Sequence, residues 1–501
     1  MSRGNSNFPI AIWTISNVLV NFGHIFRLIC LHLKGLIALR KQHITPFFRR
    51  WSERGVARPF GAMVQRPRGT RDFIPVVMNR RLVFENLLEK VSSTHGFKRV
   101  QTPIFESLDL FTAKSGQGIV NQLYAFQDKS ERNLTLRPEL TAPVMRMISE
   151  EMRSFPKPLR LSYFGQCFRY EESKKGRYRE FFQYGVELIG AKGPIAEAEV
   201  VALAIDMLAA SGLVDWELRI GHVGILKDAF ASIGLATEAD GEPSVASAMR
   251  LLDKRDWDGL AGFLSAQGVD ASACDGLRAL SDLEGGIETI SSAREILTGM
   301  GIALDSLDEL EQLLAALTEL APTPPSLKVN LCVARGLDYY TGMVFEADVA
   351  ELGGESQVLG GGSYRLLHLF GLDELDPSCG FGLGFDRVLL ALEAQAERTG
   401  RKEVVPGESL LPSTLVMPLK IDAKEVFGLV KGLRDAGHNV ELDLRGKNIA
   451  KTLEWATKTG FTSVVIVGPQ DLEKSECSVK NLVSGEQTTV PLAIEAVSAI
   501  L

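Results

Sequence analysis

Apolar residues recur at intervals of three and four over residues 78–94, where Leu82, Phe84, Leu87, Leu88 and Val91 would line one stripe of a helix stopped by Gly96. Residues 195–210 repeat the helical pattern and end at Gly212. The period then changes: Val214, Trp216, Leu218 and Ile220 alternate with Asp215, Glu217 and Arg219, as in a half-buried strand. Shorter strands are expected at 99–102 and 133–137, and two longer ones at 160–169 and 181–189, joined by the highly charged connection 170–180. Over residues 224–321 Leu and Ala recur at helical spacing with short loops, which predicts a helical insertion closed by a Pro-rich segment at 321–325. Strand patterns resume from 328 to 348, and a helix is expected at 386–396. Beyond a polar linker, strand 414–417, helix 423–436, strand 440–444, helix 449–459 and strand 463–467 alternate. Gly437, Gly460 and Gly468 mark their ends, which describes a small α/β domain.

At 501 residues the chain is long enough for about three domains. With 45% hydrophobic and 23% charged residues and no low-complexity tract, it has the composition of a soluble globular protein. The net charge of −7 argues against a general nucleic-acid coat, yet a local Lys/Arg patch can still hold RNA phosphates. Charge is unevenly placed. In residues 1–62 nine Lys/Arg face one acid, Glu53, giving +8 and leaving −15 for the remainder of a chain whose total is −7. The largely apolar run 8–26 inside that extension is interrupted by Thr14, Ser16, Asn17, Asn21, Gly23 and His24, whereas a membrane anchor needs about 20 apolar residues. Three readings stay open for it: an upstream start ahead of a protein beginning near Met63, a targeting segment, or an anchor. The six cysteines, Cys30, Cys167, Cys274, Cys332, Cys379 and Cys477, are scattered without a CxxC pair or Cys/His cluster. That spacing supports neither a zinc site nor a disulfide framework and favours a reducing compartment.

Three segments carry chemistry. Phe168-Arg169-Tyr170-Glu171 is followed, across the basic connection with Lys174, Lys175, Arg177 and Arg179, by Phe181-Phe182-Gln183-Tyr184-Gly185-Val186-Glu187. A guanidinium at a strand end can grip a phosphate bidentately, while the returning strand offers acceptors to a cationic substrate. A solvated charged hairpin is the alternative. Ala334-Arg335-Gly336-Leu337-Asp338-Tyr339-Tyr340 places one cation and two phenols together, as a buried pocket would need or as an ordinary strand and turn would have. Gly380-Phe381-Gly382-Leu383-Gly384-Phe385-Asp386-Arg387 lacks the βαβ context of a dinucleotide fingerprint, and suits close backbone approach to ATP with one phosphate-binding Arg. No Gly-x-x-x-x-Gly-Lys-Ser/Thr loop occurs, which excludes P-loop chemistry.

Together these segments resemble histidyl-tRNA synthetases over roughly residues 66–501. Arg66-Pro67-Arg68-Gly69-Thr70-Arg71-Asp72-Phe73 is similar to the family's opening, and Thr135-Leu136-Arg137-Pro138-Glu139-Leu140-Thr141-Ala142 to its amino-acid loop. The hairpin resembles class II motif 2, residues 380–387 resemble motif 3, and Pro103 stands where motif 1 places a proline at the dimer interface. Arg335 to Tyr340 resembles the signature particular to the histidine enzyme and its relatives. The second histidine signature usually reads Gly-Gly-Arg-Tyr-Asp, but here it is Gly361-Gly362-Ser363-Tyr364-Arg365, which suggests a rearranged salt bridge.

The resemblance implies an α+β fold: a class II core with a mixed, mainly antiparallel sheet flanked by helices, a helical insertion and a C-terminal α/β anticodon-binding domain. The extension would cover 1–62, the core 63–223 and 326–398, the insertion 224–325, a linker 399–412 and the anticodon-binding domain 413–501. It implies ATP-dependent activation of L-histidine and transfer to tRNA(His), with ATP and Mg2+ as cofactors, in a cytoplasmic homodimer without stable membrane association. Arg169 would bind the α-phosphate, Arg387 the γ-phosphate, and Arg335 the α-phosphate from the other side, with Glu171 and Arg177 also at the ATP. Glu139, Thr141 and Gln183 would hold the α-ammonium, Glu187 and Tyr340 the imidazole, and Tyr339 would also bind histidine. No metal ligand is assigned among the protein's side chains. Lys174, Lys175, Arg179, Arg445 and Lys447 would meet tRNA, with Lys451 and Lys458 as further candidates. A non-catalytic regulatory subunit of histidine biosynthesis is the competing reading; such chains usually lose the motif arginines and the C-terminal domain.

Overall fold

The computed structural model describes residues 65–501 apart from 116, 173–175, 236–243, 270–272, 284, 333–339 and 409–412. Arg335, Tyr339, Lys174, Lys175 and the extension 1–62 therefore lie outside the described residues. Arg68–Leu501 form a unit separate from Met1–Pro67.

The strands run β1 (Lys98–Arg99), β2 (Phe105–Ser107), β3 (Tyr124–Gln127), β4 (Asn133–Leu136), β5 (Leu159–Phe168), β6 (Glu180–Ile189), β7 (Glu217–His222), β8 (Ser326–Val329), β9 (Tyr340–Asp348), β10 (Gln357–Tyr364) and β11 (Ser378–Gly384). Eight of them form one sheet in the order β1-β5-β6-β11-β10-β9-β7-β8, and β2-β4-β3 form a small second sheet. Only the β1/β5 and β7/β8 pairs of the large sheet are parallel, so the mixed, mainly antiparallel sheet expected from the sequence is present.

The pleat sorts this sheet into two chemically different faces. Tyr184, Val186 and Leu188 of β6 and Cys379, Phe381 and Leu383 of β11 enter an apolar core. Their alternates, Gln183 and Glu187 of β6 and Gly380, Gly382 and Gly384 of β11, line a cavity on the other face. Helices Pro75–Thr94, Pro194–Ala210 and Phe385–Thr399 contribute Phe84, Leu88, Val200, Leu203, Phe385 and Val388 to the apolar side. Pro194–Ala210 is apolar nearly all round because it packs between the sheet and helix Asp305–Leu320. Between Val223 and Leu320 the described residues form a succession of helices, and their Leu226, Leu260, Leu277, Leu297 and Leu310 belong to the same continuous core as the sheet.

Helix Pro75–Thr94 departs from the expected stripe. Leu82 is 46% exposed, while Arg81 beside it is 5% exposed. Arg81 reaches Asp386 at 2.6 Å and lies 4.0 Å from the Phe73 ring centroid and 4.4 Å from that of Phe182, so an ion pair and aromatic faces compensate its burial. Val214 likewise stands 45% exposed ahead of β7, and alternation begins in earnest only at Trp216.

The C-terminal domain contains β12 (Ser413–Pro418), β13 (Asn439–Leu442), β14 (Ser463–Val467), β15 (Glu476–Asn481) and β16 (Gln487–Pro491), in the order β13-β12-β14-β15-β16. Helices Phe427–Asp435 and Ile449–Thr459 make the crossovers between the parallel strands β12, β13 and β14. β14 is buried along its whole length, and separate apolar clusters cover the sheet's two faces. The antiparallel pair β15/β16 lies beyond the elements expected from the sequence.

Candidate active site

A cavity of about 390 Å3 opens on the glycine-bearing face of the large sheet, lined by Glu139, Thr141, Arg169, Glu171, Arg177, Gln183, Glu187, Tyr340 and Arg387. Glu139 and Thr141 stand at the start of helix Thr141–Glu151, Arg169 and Glu171 just past β5, and Gln183 and Glu187 on β6. Tyr340 opens β9 and Arg387 lies in the first turn of helix Phe385–Thr399. The glycines of β11 make this convergence sterically feasible. Gly380 pairs with Glu187, and a Cβ there would collide with the Glu187 carboxylate and the Val186 carbonyl. Gly185 similarly leaves room for the Tyr163 ring.

One end of the cavity is built around Glu187, which is 1% exposed. Tyr163 Oη donates to its Oε1 at 2.8 Å, and Tyr364 Oη donates to Oε2. Burial pushes Glu187 up to about 7, while the hydrogen bonds from Tyr364, Tyr163 and Thr141 pull the other way by favouring the carboxylate. Burial, reinforced by the Glu187 charge, raises the phenols of Tyr163 and Tyr340, so both remain protonated donors. Glu139 caps helix Thr141–Glu151: its Oε2 accepts the Thr141 amide at 2.5 Å and its Oε1 accepts that of Ala142 at 3.2 Å. Gln183 Oε1 accepts the Cys167 thiol at 3.3 Å.

The other end is cationic. Arg169 Nε donates to the Pro138 carbonyl at 3.0 Å, with its guanidinium 5.1 Å from the Phe181 ring centroid. Arg387 donates to the Gln357 carbonyl and to Glu355, both at 2.9 Å. Arg177 pairs with Glu171 and Glu355, each at 3.2 Å. Burial holds Arg387 below its usual range; Glu355 opposes this, and the charges of Arg177 and Arg169 add to it. Guanidinium groups crowded in this way favour a polyanion between them.

Beside Arg387, Asp386 is 4% exposed and binds Arg71 at 2.8 Å, Arg81 at 2.6 Å and the Phe182 amide at 2.8 Å. It thereby ties the segment around residue 71 and the first long helix to β6. Glu355 escaped sequence reasoning because it sits in an unpatterned stretch, Gly353-Gly354-Glu355. Tyr163 was missed because a strand tyrosine reads as core. Tyr364 was visible as part of a signature, although nothing local shows that it bonds Glu187.

Other candidates lie elsewhere. Arg179 donates to the Glu171 carbonyl at 3.1 Å and stacks on Tyr170 at 4.3 Å, bracing the connection between β5 and β6. Arg445 stacks on Trp455 at 3.7 Å in the C-terminal domain and pairs with Asp443, while Lys447 and Lys451 are exposed. Lys458 pairs with Glu454. The rearranged salt bridge suggested by Ser363 and Arg365 is replaced by something simpler: the Ser363 hydroxyl donates to buried Glu197, and Arg365 is exposed. A serine is too short and uncharged to pair, so a hydrogen bond takes that position.

The fold has counterparts among solved synthetases. Histidyl-tRNA synthetase from Nostoc sp. PCC 7120 superposes with a TM-score of 0.70 at 22% identity, covering 85% of this chain and 97% of that one. The apo enzyme from S. aureus does so with a TM-score of 0.63 at 29% identity, covering 87% and 99%. Residues 69–388 match the histidyl-tRNA synthetase family and residues 414–500 the anticodon-binding domain family. Histidine–tRNA ligase of Archaeoglobus fulgidus is 42% identical over 427 residues, which cover 85% of this chain and 97% of the relative. The chain belongs to the histidyl-tRNA synthetase family.

Proposed function

We propose that the protein activates L-histidine with ATP and esterifies the histidyl group onto the 3′ end of tRNA(His). The observation that carries this reading is a single cavity with a buried carboxylate and phenols at one end and the guanidinium groups of Arg169, Arg177 and Arg387 at the other. An imidazole offers two ring nitrogens, and Glu187 with Tyr340 can satisfy both; an analogue lacking them leaves buried polar groups unmatched. Glu139, Thr141 and Gln183 line the same cavity and suit the α-ammonium. The histidine carboxylate, already ionised, attacks the α-phosphorus in line. Its oxygen–phosphorus bond forms as the bond to pyrophosphate breaks, so no general base is needed and positioning supplies the rate. The terminal ribose 3′-OH of tRNA then attacks the acyl carbon and AMP departs. Arg335 keeps its α-phosphate role and Tyr339 its place among the histidine-binding residues in this proposal.

Mg2+ travels with the triphosphate and, when bound, neutralises part of its charge. Among the described residues no three His, Cys, Asp or Glu side chains are grouped to hold a metal, so the nearby carboxylates of Glu171 and Glu355 and the phosphates themselves would hold it. The C-terminal domain, with Arg445 and Lys447, would receive the anticodon, and the basic connection with Lys174, Lys175 and Arg179 the acceptor end. Exposed Ile104, Phe105 and Phe126 on and beside the small sheet, next to Pro103, support pairing with a second copy. The five described cysteines are unpaired, in keeping with a cytoplasmic setting. Among the described residues no helix is long and apolar enough to cross a membrane.

Histidine-dependent ATP–pyrophosphate exchange tests the reading. The full chain should catalyse exchange, and Arg169→Ala should reduce it by about 100- to 1,000-fold. Folded protein without exchange would return the chain to the regulatory-subunit reading, against which the cavity's arginines and the match over 414–500 now stand.

A further inference from the structure

β9 and β10 do not pair evenly. Gly362 lies opposite Val344, yet Tyr364 lies opposite Tyr340, so two steps along β10 correspond to four along β9. In an unbroken ladder Tyr364 would face Gly342, and Tyr340 would stand two residues further on, about 7 Å away. The irregularity therefore brings Tyr340 alongside Tyr364, whose hydroxyl binds Glu187. The carboxylate end of the cavity depends on a bulge.

A bulge leaves ladder groups unpaired, and buried ones need other partners. Two helices contact the irregular pair. Glu197 of helix Pro194–Ala210, 8% exposed, accepts the Ser363 hydroxyl of β10 and lies against β9 at Gly342. Lys227 of helix Val223–Ser232 donates to the Tyr340 carbonyl at 3.3 Å. A Cβ on Gly342 would lie 3.2 Å from a Glu197 carboxylate oxygen and 3.6 Å from His222 Nε2, so the carboxylate packs directly against the extra residues.

We propose that Glu197 is a positioning residue for histidine recognition, stapling the β9/β10 bulge that sets Tyr340 and Tyr364 against Glu187. The proposal rests on the reading of that end as the histidine pocket. Glu197 touches no part of the cavity and neither Arg169 nor Arg387, so its removal should disturb histidine and spare ATP.

Histidine and ATP KM values measured by pyrophosphate exchange on the full chain decide the matter. Glu197→Ala should raise the histidine KM by about 10- to 100-fold, the expected loss for hydrogen bonds to a charged group, and leave the ATP KM within about threefold. Glu197→Gln, which keeps the shape and one acceptor oxygen, should recover most of that loss. Ser363→Ala deletes one bond with little change in volume and should raise the histidine KM several-fold; it decides the question if Glu197→Ala does not fold. Histidine and ATP KM rising together, or a histidine KM unmoved by either variant, would overturn the proposal. Glu187→Ala separates the two levels. If it alone weakens histidine, the staple is wrong and the pocket stands; if it too leaves histidine unaffected, the pocket reading fails and the staple with it.

Discussion

Replacing Glu187 with Gln should make the protein more stable at neutral pH and a poorer binder of histidine. Burial pushes the Glu187 carboxyl up to about 7 from an ordinary 4.5. Below pH 4.5 the group is protonated in both folded and unfolded chains and contributes no penalty. Between 4.5 and about 7 the unfolded chain gives up its proton first, so stability falls as pH rises; above 7 the whole penalty is in place. At about 1.4 kcal/mol per factor of ten, the gap corresponds to about 3 kcal/mol. Gln has nearly the same shape and never ionises, although its amino group must face one phenol that now donates to Glu187. The advantage of Glu187→Gln should therefore grow from near zero at pH 4.5 to at most about 3 kcal/mol at pH 8, about 4 °C in the melting temperature of the catalytic part. Thermal unfolding of both proteins across that pH range reads it, and calorimetry should show histidine affinity lowered by about 10- to 100-fold. A stability difference that stays flat or reverses as pH rises would refute the reasoning.

Three further outcomes are expected. Gly380→Ala sets a methyl group on the Glu187 carboxylate and the Val186 carbonyl, and should cost about 1–3 kcal/mol in chemical denaturation together with histidine binding; a neutral result would contradict the close approach. Asp386→Asn strips the counter-charge from buried Arg81 and from Arg71, and should lower stability by about 3–5 kcal/mol, whereas a loss below 1 kcal/mol would mean that the aromatic rings alone hold Arg81. Arg445→Ala should slow aminoacylation of tRNA and leave pyrophosphate exchange intact; equal loss of both would remove Arg445 from the RNA surface.

How far the chain could be read without coordinates follows from the range of each signal. The strand pattern of β6, helical spacing across 224–321 and the β–α alternation after residue 413 are all written in neighbouring residues, because a helix or strand repeats every few positions. The same locality made Arg169, Glu187 and Arg387 visible, each within a short run of chemically suggestive neighbours. Which side of an element faces inward is not local. Arg81 is buried and Leu82 exposed because Asp386, some three hundred residues away, waits with its charge. Glu355 joins Arg387 to Arg177 only once the sheet has assembled. The spacing between Tyr340 and Tyr364 depends on an offset in strand pairing that no run of residues announces. By itself the sequence determined most of the elements, though not the β15/β16 pair, and most of the reactive groups; tertiary structure decided the distances among them, since register and cross-strand packing depend on pairings between segments far apart in the chain.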